Sequence, residues 1–243
     1  MSTIAIYSLK GGVGKTTLAV NLAWAAASLS RRRTLLWDLD PQAASTFLLA
    51  PEGKTRDQAQ AIFTKDVAPA RQVQHSAIDR LDLIGADTSL RGLDLTFHEL
   101  DKKKRLAKLL AELGKAYDRV ILDCPPGLTE TSEQVMRAAD LIVVPVIPSP
   151  LSTRAFDEVA AHLARKGGKV PLMPVLSMVD RRRKLHAEVI AAHPDWPVIP
   201  MASIVEAMSV RRAPLGAYAP RAAATRACAD LWQAVERRLA AKR

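Results

Sequence analysis

The chain has 243 residues, of which 49% are hydrophobic and 25% charged, and its formal net charge is +10. This composition excludes an intrinsically disordered chain, and the length suits one domain with a sizeable core. No apolar run approaches the roughly 18 residues that span a bilayer, and the first residues lack signal-peptide features, so we expect a cytoplasmic protein. The two cysteines, Cys124 and Cys228, are too few for a disulfide framework or a zinc site, and we expect both to be buried.

The positive charge is concentrated in the last third of the chain. Residues 163–243 contain 15 Lys and Arg against 6 Asp and Glu, whereas residues 1–162 contain 20 against 19. One-sided positive charge attracts polyanions, so the distribution favours nucleic acid as a partner, with an anionic membrane surface as the second candidate. Charge alone also allows solvated faces that serve only solubility.

Short apolar runs alternate with helical patterns along the chain. This alternation predicts a single α/β domain over residues 1–243, with a mainly parallel, twisted sheet and helices on both faces. The predicted strands are residues 3–8, 34–38, 81–84, 119–123, 141–146 and 175–179. The alanine-rich segment 15–30 predicts a buried helix, and the other predicted helices are 98–114, 152–165 and 221–243. Between residues 51 and 79 the pattern weakens, and we expect short surface helices there.

Residues 10–17 read KGGVGKTT and follow the first apolar run. Their glycines permit a turn between strand and helix whose backbone N–H groups can bind phosphate. Lys15 is placed to reach the β- and γ-phosphates, and the hydroxyl of Thr16 is placed to bind Mg²⁺. The ordinary P-loop has glycine at the position of Leu9, whereas this chain has a second lysine, Lys10, directly before the glycine pair. The segment predicts a nucleoside triphosphate site formed by Gly11, Gly12, Val13, Gly14, Lys15, Thr16 and Thr17.

Three aspartates lie at the ends of predicted strands, at the edge where a parallel sheet binds ligands. Asp38 and Asp40 belong to the sequence DLDPQ, and alternation directs both side chains to the same side. Asp123 ends the strand RVILD and precedes the turn CPPG, an arrangement typical of a Walker B acid in the magnesium shell. Residues 125–131 are a candidate switch, because a chain that distinguishes ATP from ADP needs a segment that touches the γ-phosphate and then moves.

Basic segments also lie outside this predicted site. Residues 102–105 (KKKR) are near the start of the predicted helix 98–114, where cations oppose the helix dipole, and they form either a secondary anion patch or a solvated face. Four consecutive cations, residues 181–184, precede an amphipathic helix that carries Leu185, Val189 and Ile190. The last predicted helix has an apolar stripe of Cys228, Leu231, Trp232, Val235 and Leu239, which favours a docked terminal helix over a membrane-binding one.

The segments KGGVGKTT, DLDPQ and RVILDCPPG, in this order, resemble the motifs of the ParA/MinD family of ATPases, whose Walker A sequence is deviant. The resemblance implies ATP and Mg²⁺ as cofactors. It implies that Asp40 orients the attacking water and that Thr16, Asp38 and Asp123 serve the metal. It also implies that Lys10 crosses a homodimer interface to the partner's nucleotide and, with Lys15, stabilises the reacting phosphate. In residues 198–201, the backbone of Pro200 and Met201 is implied to border the adenine.

Two branches of this family fit the chain. In the ParA branch, arginines bind DNA without sequence preference; SMVDRRRKLH resembles one such loop, and the implied residues are Arg181, Arg182, Arg183 and Lys184, with Arg211 and Arg212 in a later loop. This branch implies a slow ATPase that dimerises on ATP, binds double-stranded DNA on the nucleoid and positions a cargo. A ParB-like or cargo adaptor protein would stimulate hydrolysis. The alternative is a MinD-like positioning ATPase that binds membrane through its C-terminal helix.

Overall fold

The computed structural model describes residues 1–50, 59–64, 67–100 and 104–241. Within these residues, eight strands form one sheet in the order β3-β4-β2-β5-β1-β6-β7-β8, and every pairing is parallel except that of β3 with β4. The strands are β1 (Ser2–Ile6), β2 (Thr34–Asp38), β3 (Val73–His75), β4 (Leu81–Ile84), β5 (Arg119–Asp123), β6 (Leu141–Val146), β7 (Leu172–Val179) and β8 (Val198–Pro200). The predicted α/β fold with a mainly parallel sheet is confirmed.

The helices cover both faces of the sheet. They are α1 (Lys15–Trp24), α2 (Ala44–Leu49), α3 (Ala61–Thr64), α4 (Pro69–Gln72), α5 (Leu93–Leu100), α6 (Arg105–Leu113), α7 (Glu130–Ala138), α8 (Pro150–Arg165), α9 (Lys184–Ala192), α10 (Ser203–Arg211), α11 (Leu215–Tyr218) and α12 (Ala223–Ala240). A π-helical segment (Ala25–Leu29) continues α1, and a 3₁₀ segment (Thr88–Gly92) precedes α5. None of the described helices is long and apolar enough to cross a membrane.

Alternation along β1 shows how the two layers form. Ile4 and Ile6 belong to the core beneath α1 and α12, whereas Ala5 and Tyr7 belong to the core beneath α5 to α8. All five residues of β1 are buried, as expected for a central strand of a parallel sheet that is covered on both sides. The helix after the P-loop is buried as predicted, with Leu18, Ala19 and Val20 at most 1% exposed.

Most of the strand boundaries follow the sequence pattern. Four predicted strands have the observed limits, those of β2, β4, β5 and β6, while β1 ends two residues earlier and β7 begins three residues earlier than predicted. The prediction missed β3, because a three-residue antiparallel edge strand is too short for a recognisable alternation. β8 coincides with the segment that the family resemblance indicated as a strand.

The C-terminal helix is docked on the domain. Leu231, Trp232 and Val235 are at most 1% exposed, and Trp232 Nε1 donates a hydrogen bond of 2.7 Å to Ser30 Oγ beside the end of α1. Cys124 and Cys228 are both buried, as predicted. Because the apolar stripe of α12 is already covered by protein, it leaves little surface for a lipid bilayer. Lys242 and Arg243, which the sequence placed in this helix, lie outside the described residues.

Between residues 51 and 79 the predicted short helices are present as α3 and α4, but the prediction of surface helices is wrong in two respects. Residues 51–58 and 65–66 lie outside the described residues, but Ile62 and Phe63 in α3 are at most 1% exposed and belong to the core. Residues 73–75 form β3 instead of a helix. The ring of Phe63 contacts those of Trp37 and Phe97, which are distant in sequence, so local periodicity could not reveal its burial.

The prediction of one helix over residues 98–114 is also wrong, since α5 ends at Leu100 and α6 begins at Arg105. Lys102 and Lys103 lie outside the described residues. Arg105 is buried, and its guanidinium donates to Phe63 O at 2.9 Å and to Ile62 O at 2.8 Å. Both readings of this basic run, an anion patch and a solvated face, are therefore wrong for Arg105, which instead donates to carbonyl groups of α3.

Gly216 in α11 is predicted to tolerate no larger residue. A Cβ atom at this position would lie 2.1 Å from Trp24 Cζ2 at the end of α1. We expect Gly216→Ala to destabilise the protein by about 1–3 kcal/mol, because the half-buried indole of Trp24 must shift against the core on which it packs. Thermal unfolding measures the change. The matched control is Ala217→Ser, which adds one atom at the exposed neighbouring position; equal melting temperatures for the two variants would contradict the prediction.

Candidate nucleotide site

The site lies at the carboxyl edge of the sheet, where β1, β2 and β5 end side by side. The last residues of β2 and β5, Asp38 and Asp123, are partners in the strand register, and Ile6 at the end of β1 is the partner of Asp123 on its other side. The P-loop leaves β1 at this point and leads into α1. Sheet register therefore brings together two carboxylates that are 85 residues apart in sequence with the predicted phosphate loop.

The P-loop has the conformation of a phosphate cradle. Gly12 and Gly14 have φ angles of 71° and 90°, in the left-handed region that favours glycine. A Cβ atom at Gly11 or Gly12 would meet no other atom within 4 Å, so the loop borders open space. Its far side is fixed to β7 by a 2.9 Å hydrogen bond from Ser177 Oγ to Val13 O. The loop thus offers backbone N–H groups to an anion on one side while the protein holds it on the other.

The two lysines of the loop have different environments. Lys15 is 7% exposed, and its Nζ donates to Lys10 O at 3.1 Å across the loop. Burial lowers the pKa of Lys15, while the charges of Asp123 and Asp40 act in the opposite direction. The ammonium of Lys10 has no salt bridge to any residue of the described ranges. Lys15 is therefore a fixed part of the site, and Lys10 is a cation without a carboxylate partner in the described protomer.

Asp38 and Asp123 form a buried carboxylate pair, exposed by 0% and 1%. Asp38 Oδ2 accepts hydrogen bonds from the backbone N–H and the hydroxyl of Thr46, at 2.9 and 2.8 Å. Asp123 Oδ2 accepts a 2.7 Å hydrogen bond from Ser45 Oγ. Burial raises the pKa of both carboxyl groups, and the charge of Asp123 raises the pKa of Asp38 further.

One oxygen of this pair lacks a partner. Asp123 Oδ1 is buried and accepts no hydrogen bond from the part of the chain that the structure describes. Burial raises the pKa of Asp123, and the nearby hydroxyl groups of Ser45 and Thr16 act in the opposite direction. Mg²⁺ binds carboxylate and hydroxyl oxygens, so an unpaired Asp123 oxygen near Thr16 fits the predicted metal position. Asp38 fits as a supporting residue, because its hydrogen bonds orient it beside Asp123.

The structure adds Ser45 and Thr46 to the site. Both are buried on α2, and together they donate to the two strand-end acids. Thr46 Oγ1 also accepts a 2.8 Å hydrogen bond from the backbone N–H of Ala86 beyond β4. The sequence offered only a weak signal for them, namely two hydroxyl residues shortly after DLDPQ, since their acceptors are set by the fold of α2 over the sheet edge.

Asp40 lies in the turn between β2 and α2. Its Oδ1 accepts a 2.9 Å hydrogen bond from the backbone N–H of Gln42, and its charge acts on Lys15. The turn ends at Ala43, a non-glycine residue with a φ of 54°. Asp40 is thus held close to the P-loop lysine, as a water-orienting carboxylate requires, although its catalytic role remains a prediction.

The candidate switch, residues 125–131, directly follows Asp123 and is anchored at both ends. Tyr7 is fully buried, and its hydroxyl donates to Gly127 O at 2.9 Å. Thr131 donates through its backbone N–H and its hydroxyl to Asp94 Oδ1, at 2.8 and 2.7 Å. The segment between these anchors begins beside the predicted metal acid and ends at the start of α7, a position from which it could transmit a change at the site.

An apolar cavity of about 110 Å³ lies next to the P-loop. Gly14 and Thr17 line it together with Pro200 and Met201, the residues that the resemblance placed at the adenine. Met178 also lines it and has a φ of 55°, at a register irregularity near the end of β7. The structure therefore brings the predicted base-binding residues to the predicted phosphate loop, as one continuous nucleotide site needs.

The predicted DNA-binding residues have two kinds of environment. Arg181, Arg182, Arg183 and Lys184 are exposed after the carboxyl end of β7. Arg182 Nε and Nη2 donate to the two carboxylate oxygens of Asp180, both at 2.9 Å, and these hydrogen bonds lower the pKa of Asp180 to about 2. The buried residue of α9 is His186, whose Nδ1 accepts from the Asp180 backbone N–H, whereas the predicted apolar position Leu185 is 39% exposed.

The later loop contacts other parts of the protein. Arg211 lies over the ring of Tyr218, with 5.2 Å between the guanidinium carbon and the ring centre. Arg212 Nε and Nη2 donate to Phe47 O at 2.8 Å and to Ala50 O at 3.1 Å, at the carboxyl end of α2. These two arginines thus have internal partners that the sequence did not indicate.

Comparison with known proteins agrees with the motifs and the fold. Residues 1–170 match a family model described as an AAA domain. The chain is 31% identical to the virulence plasmid ParA family protein pGP5-D of Chlamydia psittaci over 77% of its length and 73% of that protein. It is also 31% identical to the sporulation initiation inhibitor protein Soj of Bacillus subtilis strain 168, over 77% of its length and 76% of Soj.

Solved structures share the fold across the whole chain. A variant of McdA from Cyanothece in complex with ATP has a TM-score of 0.82 at 23% identity. The superposition covers 97% of this chain and 96% of the McdA chain. The cell division ATPase MinD of Pyrococcus furiosus has a TM-score of 0.79 at 21% identity and covers 97% of this chain and 98% of its own. Motifs, sequence relatives and fold agree, and the chain belongs to the ParA/MinD family of partition and positioning ATPases.

Proposed function

We propose that the protein is a ParA-like ATPase that forms a dimer around two ATP molecules, binds DNA without sequence preference and positions a cargo. The observation that carries the proposal is the arrangement at the sheet edge. An open P-loop with a buried lysine faces two buried carboxylates, one of which has an unpaired oxygen, and an additional lysine has no acidic partner within the described residues. This set of groups suits a magnesium-bound triphosphate better than any neutral ligand.

Each residue of the site would have a separate role in hydrolysis. Mg²⁺ would supply positive charge at the β- and γ-phosphate oxygens. The Thr16 hydroxyl and Asp123 Oδ1 would hold it, with Asp38 as support, and Lys15 would bind the same phosphates. Asp40 would accept a hydrogen bond from the attacking water and orient it. Pro200 and Met201 would border the adenine through the cavity beside Gly14.

Lys10 is proposed to act in the partner protomer's site. In its own protomer Lys15 already occupies the inner side of the loop, where its Nζ lies 3.1 Å from Lys10 O. A second lysine that binds the partner's phosphates would make dimerisation depend on bound ATP, and it would stabilise charge in the transition state as an arginine finger does. Nucleotide state and dimer state would then change together.

DNA binding is proposed for the exposed cations after β7. The last third of the chain carries nearly all of the net positive charge, and the sequence 181–184 places four cations in one turn. If each protomer neutralises about three phosphates, the affinity of the dimer should fall with a log–log salt slope of about −5. A monomer would make half of these contacts and would bind weakly. The ATP-dependent dimer would therefore be the form that binds the DNA of the nucleoid.

The names of relatives support a partition or positioning role. They include a virulence plasmid protein of Chlamydia psittaci and the chromosome partitioning protein ParA of Caulobacter vibrioides, which is 30% identical over 78% of this chain and 74% of that protein. We propose a ParB-like or cargo adaptor partner that stimulates slow hydrolysis and releases the dimer. The membrane-binding alternative has less support, because the apolar stripe of α12 is buried against the domain.

Lys10→Ala is expected to abolish the ATP-dependent dimer while nucleotide binding is retained. Light scattering with a non-hydrolysable ATP analogue measures the mass, and a fluorescent nucleotide measures binding. Lys115→Ala, which removes the same charge from an exposed position after α6, is the control and should dimerise normally. A dimer of undiminished stability in Lys10→Ala would refute the trans role.

Asp40→Ala is expected to lower the hydrolysis rate by at least about 100-fold, since the water would lose its orienting carboxylate. The dimer and its DNA binding should persist, and they should last longer than in the wild type. Phosphate release measures hydrolysis, and Asp195→Ala, at an exposed position after α9, is the control. Normal phosphate release by Asp40→Ala would remove Asp40 from the reaction.

Arg182→Glu is expected to weaken DNA retention and to reduce the salt slope of the dimer by about two, one phosphate contact for each protomer. Asp180→Asn should act in the opposite direction, because it removes the carboxylate that Arg182 contacts. Mobility shifts across a range of salt concentrations measure both effects. Arg32→Glu makes the same charge change before β2, at the amino ends of the parallel strands, whereas the loop after β7 lies at their carboxyl ends. If it weakens binding as much, the DNA surface is not the loop after β7.

A further inference from the structure

The helix α2 connects the candidate nucleotide site to a distant loop. Its buried hydroxyl residues, Ser45 and Thr46, donate to Asp123 and Asp38 at 2.7 and 2.8 Å. With only six residues, α2 has few hydrogen bonds of its own, so its position depends on what holds its two ends. A small rotation of α2 would therefore move both hydroxyl groups relative to the acids.

The carboxyl end of α2 is held by Arg212. The guanidinium donates to Phe47 O at 2.8 Å and to Ala50 O at 3.1 Å, and its carbon lies 5.1 Å from the centre of the Phe47 ring. The last carbonyl groups of a helix lack partners within the helix and carry partial negative charge, so a cation at this end is favourable. Two carbonyls bound by one planar fork also fix the direction of the helix, which a lysine could not do as well.

Two strained residues bracket this helix. Ala43 at its amino end and Arg212 at its carboxyl end both adopt the left-handed region, with φ angles of 54° and 47°. Each conformation costs a non-glycine residue of the order of 1 kcal/mol and persists only where the surroundings hold it. Glycine would satisfy the backbone at position 212 with less strain, so a structural cap of α10 alone does not account for arginine there.

Arg212 is also the residue that ends α10. The first turn of α10 lines the cavity next to the P-loop, through Val205 and Glu206, and Ala202 directly before the helix lines it as well. Contacts therefore run from the predicted base pocket along α10 to Arg212, and from Arg212 along α2 to the two buried acids. The Arg212 side chain joins the two halves of this path.

We infer that Arg212 is a positioning residue: by holding the carboxyl end of α2, it keeps Ser45 and Thr46 on Asp123 and Asp38 and so maintains the Mg²⁺-binding acids. This inference rests on the proposed function for the metal and replaces the predicted DNA contact of Arg212. The four cations after β7 and the neighbouring Arg211 remain the predicted phosphate contacts. Loss of such an outer partner of a metal site typically weakens metal binding or activity by about 10- to 100-fold.

The test uses Arg212→Gly, which keeps the left-handed backbone favourable and removes only the guanidinium. Arg221→Ala removes the same charge from an exposed residue before α12 and is the matched control, and Arg212→Lys keeps the charge without the two-carbonyl fork. Three quantities are measured in each variant: hydrogen exchange of the Phe47 and Ala50 amides, the Mg²⁺ concentration for half-maximal ATP hydrolysis, and DNA retention.

We expect Arg212→Gly to unfold at nearly the wild-type temperature. Its Phe47 and Ala50 amides, which donate to Ala43 O and Thr46 O, should exchange about tenfold faster, because α2 opens more often when the guanidinium no longer holds its carboxyl end. The Mg²⁺ requirement should rise by about tenfold or more, with Arg212→Lys in between and Arg221→Ala unchanged. Mn²⁺ binding in the presence of a non-hydrolysable ATP analogue, followed by its electron paramagnetic resonance, should weaken in the same order.

The opposite pattern would overturn the inference. If Arg212→Gly loses DNA retention to the same extent as Arg182→Glu, while its exchange and Mg²⁺ requirement match the wild type, Arg212 contacts phosphate and does not position α2. If wild-type protein hydrolyses no ATP, the proposed function fails, and the exchange of the α2 amides still decides whether Arg212 holds the helix.

Discussion

Two carboxylates buried side by side are the constraint on which this structure depends. Asp38 and Asp123 end adjacent parallel strands and are at most 1% exposed, so neither is stabilised by water and each disfavours the charge of the other. Burial accordingly raises the pKa of both groups. The surroundings supply donors from Ser45 and Thr46 but leave Asp123 Oδ1 without a hydrogen-bond partner among the described residues. A divalent cation would resolve both the repulsion and the missing contact, which is why this pair identifies the site better than the P-loop alone.

The same constraint explains the layout around the site. A central strand covered on both faces can present a polar group only at its end, where the sheet stops and loops begin. The P-loop, the acids and the candidate switch all leave the sheet at this edge, whereas the helices that bury it carry the apolar residues. Ser45 and Thr46, whose hydroxyl groups donate to the acids, lie on α2 instead of a strand, and a short helix is easier to move than a strand in the middle of a sheet. The central strands therefore hold the acids, and α2, the part that moves more easily, orients them.

The sequence correctly predicted those features of the protein that depend on residues close together in the chain. Four strands had the observed limits because each is an apolar run between turn residues, and the P-loop was evident because glycine, lysine and threonine must follow one another in the chain. The errors and omissions depend on partners far away in sequence. Arg105 is buried because Phe63 and Ile62 offer it carbonyl groups, and Ser45 matters because Asp123, 78 residues later, lies above it. No local pattern encodes such pairs.

Prediction of binding partners from charge has the same limit. Counting cations favours a polyanion as the partner of the last third of the chain, but it treats every arginine as equivalent. The structure separates them by their acceptors: Arg182 is held by a carboxylate on its own loop, and Arg212 by the carbonyl groups of α2. A phosphate can compete with the Asp180 carboxylate for this guanidinium, because the Arg182 side chain is 90% exposed and an ion pair at the surface contributes little free energy. It competes less well at the end of a helix, where departure of the guanidinium would leave two carbonyl groups without that donor. Arginines of one basic segment can therefore serve different functions, and the acceptor that each one contacts indicates which.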